Sequence, residues 1–167
     1  MWYRNLAVAA LLAAAPALAD EAPFQGHAIE AEGVADARQV VRVRGTRYAI
    51  PGTPAQIVGK AQLCLSRRDS GVGIVSVDPA AGRLAAVGRV AYRDEPALRL
   101  VKGRLTVEAE AGNFSVVLGN LGILQGNPGE RADEVFTPLH LDAGSAWQPA
   151  LTAMIAVEQA LVDCMFH

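Results

Sequence analysis

Lysine is nearly absent from this chain: Lys60 and Lys102 are the only two in 167 residues. Arginine carries the positive charge instead, and 15 basic against 17 acidic residues leave a net charge of −2. That balance offers a nucleic-acid backbone no attraction, so no nucleic-acid partner is expected. Histidine is scarce too. His27, His140 and His167 each lack a second ligand two or four residues away, so neither a metal nor another cofactor is expected. No apolar run approaches the roughly 20 residues that span a bilayer, so no membrane span is expected after processing. Catalytic motifs are missing as well. Ser70, Ser76, Ser115 and Ser145 stand outside any nucleophile elbow. Gly119-Asn120-Leu121-Gly122 has no Lys-Ser or Lys-Thr after it to make a phosphate loop. The pairs Asp94-Glu95 and Asp133-Glu134 read as solvated loop charges, because adjacent carboxylates do not converge on one atom.

What is present begins at the N-terminus. Arg4 and the α-amino group precede ten unbroken apolar residues, Leu6 to Ala15. Pro16 breaks the run, and Ala17-Leu18-Ala19 places small residues where signal peptidase reads them. Residues 1–19 are therefore expected to be a Sec-type signal cleaved after Ala19, with no cysteine following to take a lipid. The Ala-rich, Lys-poor composition is that of a GC-rich bacterial genome, so the exported chain is expected in the periplasm or the medium. Residues 20–37 lack periodic apolar spacing and read as a flexible leader. Residues 38–167 suit a single domain. In an oxidising compartment Cys64 and Cys164, the only two cysteines, read as a disulfide.

Periodicity then gives the elements. Arg42 and Arg44 alternate with Val41 and Val43 as in a half-buried strand, which Tyr48-Ala49-Ile50 extends past a bulge at Gly45. Thr53, Pro54 and Gln56 form a capping box that opens a helix, with Ile57, Ala61, Cys64 and Leu65 on one stripe. Two hairpins follow. Residues 72–77 turn through Asp78-Pro79-Ala80-Ala81-Gly82 into 84–92, and 100–109 turn at Gly112-Asn113 into Phe114, Val116 and Leu118. Residues 122–144 read as a long loop. In a final helix, Ser145 and Gln148 repeat the capping-box spacing. Ala150, Met154, Val157, Leu161 and Met165 make its apolar stripe, Cys164 lies beside it, and Glu158 falls near the opposite margin. The order β-α-β-β-β-β-α predicts an α+β fold: an antiparallel sheet of four to five strands with two helices on one face. Burying both stripes against that face can bring Cys64 and Cys164 together.

The block from Lys60 to Leu121 carries a resemblance. A helix ending Cys64-Leu65-Ser66-Arg67, then Val77-Asp78-Pro79-Ala80-Ala81-Gly82-Arg83-Leu84, Leu105-Thr106-Val107-Glu108-Ala109 and Gly112-Asn113-Phe114, resembles a bacterial exported domain of unknown function with a TATA-binding-protein-like fold. The resemblance implies a fold and no catalytic residue, and the name of the fold does not imply DNA binding.

One surface stands out. If Val101, Leu105 and Val107 face the helices, Lys102 and Arg104 face outward, and a consistent register sends Arg42, Arg44, Arg83 and Arg89 with them. Six basic side chains on one sheet face of a net-acidic protein form a segregated patch. The first expectation is therefore a periplasmic binding or interaction module that uses the open face for an anionic envelope component or a protein partner. The alternatives are a small periplasmic hydrolase whose catalytic groups meet only in three dimensions, and a structural envelope protein.

Overall fold

In the computed structural model, the described residues are 23–34, 38–67, 71–124, 134–142, 144 and 147–167. The elements run β1 (Ala28–Glu32), β2 (Gln39–Ala49), α1 (Pro54–Leu65), β3 (Val72–Asp78), β4 (Arg83–Asp94), β5 (Ala97–Glu110), β6 (Asn113–Leu124), β7 (Phe136–Pro138) and α2 (Trp147–Phe166). The class is α+β. The sheet is antiparallel, in the order β1-β2-β6-β5-β4-β3, with β7 paired to the end of β6.

The expected sheet of four to five strands has seven. β1 lies inside the stretch read as a leader, where Ile29 pairs with Val43 and is 3% exposed. β7 lies inside the stretch read as a loop, and Phe136 to Pro138 pair with Leu124 to Gly122. Neither has the alternating apolar run of an independent strand; each is held by the edge it completes. The predicted signal lies outside the described residues.

Local chemistry explains the rest. Thr53 accepts from the backbone N–H of Gln56, and the Gln56 side chain accepts from the Thr53 N–H, so the box closes in both directions. At the β3–β4 turn, Asp78 accepts from the Ala81 N–H, and Gly82 takes the positive φ of 66° that the turn requires. Along β5, Val101, Leu105 and Val107 are fully buried while Arg104 is exposed and Lys102 half-buried. Phe114, Val116 and Leu118 of β6 and Leu84 and Ala86 of β4 continue that inner surface. Both helices cover it: Ile57, Val58, Ala61 and Leu65 from α1, and Ala150, Leu151, Met154, Leu161 and Met165 from α2.

The packing joins Cys64 to Cys164 across the two helices, with 5.9 Å between their α-carbons and 100 residues between them in sequence. Such a bond persists in oxidising compartments and is rare in reducing ones. Composition alone would let α2 cross a membrane. Here its apolar arc is buried against the sheet.

Candidate functional site

The face opposite the helices is built by register. Arg42 of β2 lies opposite Gly119 of β6, Gly119 opposite Arg104 of β5, and Arg104 opposite Val87 of β4. One row along, Lys102 is flanked by Gly122 and Arg89. In the other direction Arg44 neighbours Val117, which neighbours Thr106, and the next row reads Arg47, Ser115, Glu108, Arg83. All six basic residues singled out in the sequence, Arg42, Arg44, Arg83, Arg89, Lys102 and Arg104, therefore share one face. Two more join them. Arg93 follows from simple alternation, opposite Leu98. Arg47 does not: strict alternation from Arg44 sends it inward, and the register shift between Arg44 and Arg47 turns it out. Gly45 is the signal for that shift, since glycine inside a strand often marks a bulge.

The patch is less uniform than its arginine count suggests. Arg42 pairs with Glu30 at 3.8 Å, Arg44 and Arg83 both reach Glu108 at 3.8 and 3.5 Å, and Arg47 reaches Glu110 at 3.2 Å. Arg89 pairs with Glu134. These are exposed pairs of little energetic weight, but they neutralise the rim of the face. Among the described residues Arg104 has no carboxylate partner, and Lys102 rests its ammonium 4.4 Å from the centroid of the Phe136 ring. Arg93 has none among the described residues either, so the surplus charge falls on Arg93, Lys102 and Arg104.

A second polar constellation is buried. Glu158 of α2 is 1% exposed and His27 is 8% exposed, and His27 Nε2 lies 3.0 Å from Glu158 Oε2. His27 Nδ1–H donates to the carbonyl of Gln25 at 3.0 Å. Both ring nitrogens are committed, so no hydroxyl nucleophile can use this imidazole as it stands. Among the described residues Glu158 Oε1 has no hydrogen-bond partner, and it points at Gly45, where any β-carbon would run into it. Burial pushes the Glu158 carboxyl above its ordinary value, and His27 pulls it part of the way back. The pair closes a run of contacts from the first described residues onto α2, together with Phe24 on Trp147 at 5.1 Å and Gln25 Nε2 donating to Thr152 Oγ1 at 2.9 Å.

No family model and no curated protein matches this chain. A solved structure does. A TBP-like protein from Parabacteroides distasonis superimposes with a TM-score of 0.55, covering 75% of this chain and 94% of its own at 8% identity. The fold is TBP-like. A DUF4468 family protein from Bacteroides ovatus is also similar, at 20% identity over 81% of this chain and 85% of that one, with a TM-score of 0.43. The resemblance carried by Lys60 to Leu121 thus holds at the level of the fold.

In this TBP-like domain two hollows lie at the sheet's margins. One of about 530 Å³ is lined by Glu32, Gln39, Val41, Asn120 and His140 near the start of β2. Another of about 760 Å³ follows the free edge of β3, between Arg67 after α1 and Arg89 on the open face. The basic centre around Arg104 lies on the face between them.

Proposed function

We propose that this chain is an exported bacterial binding module whose open sheet face engages an anionic partner of the cell envelope. One observation carries the reading: the strand register brings Arg42, Arg44, Arg83, Arg89, Lys102 and Arg104 onto the single face that neither helix covers. A core α+β domain needs no such segregation of charge, and a net-acidic protein that collects its cations on one face directs anions there. Export is supported by the Leu6–Ala19 signal pattern and by a cysteine pair bonded as oxidising compartments allow.

The test is replacement of Arg83, Arg89, Lys102 and Arg104 together by glutamine. The side chains are solvent-facing, so the melting temperature should stay within a few degrees. Binding to soluble anionic envelope polymers, titrated against salt, should weaken at least tenfold and lose most of its ionic-strength dependence. Retained affinity with an unchanged salt slope would sink the electrostatic reading.

A further inference from the structure

Phe24 to His27 make a tight two-residue turn. The Phe24 N–H donates to the His27 carbonyl at 3.0 Å and the His27 N–H to the Phe24 carbonyl at 2.9 Å. Gln25 and Gly26 between them take positive φ values of 50° and 81°, as such turns require. The turn aims the imidazole. Nδ1 reaches back 3.0 Å to the Gln25 carbonyl, and Nε2 reaches Glu158 Oε2 at 3.0 Å. A carbonyl oxygen can only accept, so Nδ1 carries a hydrogen. A neutral imidazole has a single N–H, which leaves its Nε2 an acceptor facing a carboxylate oxygen. Two lone pairs do not make a contact. The Nε2–Oε2 approach therefore needs one further proton, whichever of the two atoms holds it.

The surroundings offer no substitute for that proton. Glu158 is 1% exposed, and among the described residues its Oε1 has no hydrogen-bond partner. Oε1 points at Gly45, which brings no side chain to it. Burial raises the Glu158 carboxyl, and His27 supplies the charge that opposes the rise. From β2, Tyr48 faces the same carboxylate. Its hydroxyl is held above its ordinary value by burial, by Glu158 and by Asp163 further along α2, so it stays neutral through the physiological range. Once the shared proton is gone, the carboxylate is charged, buried and bare at one oxygen. Water reaches it only if the segment covering it moves.

We infer that His27 and Glu158 form a proton-held clasp that fastens the segment from Phe24 to Glu32 to α2 and β2, and that the segment opens as the shared proton leaves with rising pH. The clasp is closed at low pH, where Nε2 or Oε2 keeps its hydrogen, and fails as pH climbs. The segment can open without the rest of the sheet. β1 is an edge strand whose one neighbour is β2, and terminal edge elements open at a small part of the global unfolding cost. Its other ties to α2, Phe24 on Trp147 and Gln25 to Thr152, involve no titrating group. In leaving, the segment takes Glu30 from Arg42 and uncovers the outer edge of β2. One buried proton thus decides how much of that edge meets solvent.

The experiment is amide hydrogen exchange on the purified chain from pH 5 to 9, read as protection factors so that the intrinsic rise of exchange with pH is divided out. Protection of residues 28–32 should fall at least tenfold across the range, while β5 and β6 change less than twofold. Glu158→Gln places an amide N–H where the shared proton was, so its segment should stay protected at every pH. His27→Ala removes the clasp, so its segment should be poorly protected at every pH. Imidazole nitrogen shifts of the parent give a readout that needs no variant: with the segment closed, neutral His27 should never carry its hydrogen on Nε2 alone. The clasp is overturned if the parent's protection does not change with pH, or if Glu158→Gln loses protection as the parent does. Full protection in His27→Ala, or a closed segment at pH 9 with the hydrogen on Nε2 and none on Nδ1, would overturn it too.

Discussion

Glu158 sits where an apolar residue belongs. Counting along α2, Ala150, Met154, Glu158, Leu161 and Met165 fall on one side at spacings of four, four, three and four, and all are buried. Helical spacing with Val157 on the stripe puts Glu158 near the opposite margin; Val157 is instead half-buried, and the buried arc runs through Glu158. Its partner His27 lies 131 residues away in a stretch with no periodic signal. The cost of the arrangement is visible in its titration. With a folded-state pKa raised above 4.5, the protonated carboxyl is favoured in the native state. The associated stability is fully present below the unfolded value and is lost as pH rises through the raised folded one. Glu158→Gln removes this titration and keeps a donor for His27 Nε2. Melting measured from pH 4 to 8 should therefore decline less steeply with rising pH in the variant, which should equal or exceed the parent at neutral pH. A variant with the same slope, or one destabilised by several kcal/mol at pH 7, would show instead that a charged His27–Glu158 pair holds the fold.

At the scale of elements, legibility followed the strength of local pattern. β5 could be assigned to the right face from its alternation alone, and with it the outward direction of Lys102 and Arg104. α1 was readable from its capping box. β1 and β7 were not. β1 has one large apolar side chain, Ile29, and β7 is three residues long and ends in proline, so both depend on pairing that only the assembled sheet offers. Val41 was read with the buried set and is 38% exposed, because the irregularity between Glu30 and Ala31 gives Val40 and Val43 the inward positions. The capping box supplies the element-scale prediction. Thr53→Ala removes the acceptor for the Gln56 N–H and should cost about 1 kcal/mol of stability in chemical denaturation. Thr53→Ser should restore most of it, and a loss equal to alanine's would mean the methyl group, not the hydroxyl, matters there.

For the whole molecule, the disulfide is the longest-range constraint. It ties the helix after β2 to the final turns of α2, so the two elements that cover the sheet are bonded to each other as well as packed on it. The sequence contained this link because two apolar stripes against one sheet face leave few other places for two cysteines. The chain-entropy model assigns a closed loop of about 100 residues roughly 4.7 kcal/mol, through restriction of the unfolded chain. Replacing both cysteines by serine should thus lower unfolding free energy by about 2–5 kcal/mol. The loss should not be spread evenly. α2 carries the contacts to Phe24, Gln25 and His27 as well as the bridge, so amide exchange should accelerate first in its last turns and in residues 24–32, while β4, β5 and β6 exchange only on global unfolding. Two free thiols in the non-reduced protein by mass spectrometry would remove the bond from the account. An unchanged denaturation midpoint in the double-serine variant would leave it present and idle, and would mean that sheet packing alone fixes where α2 lies.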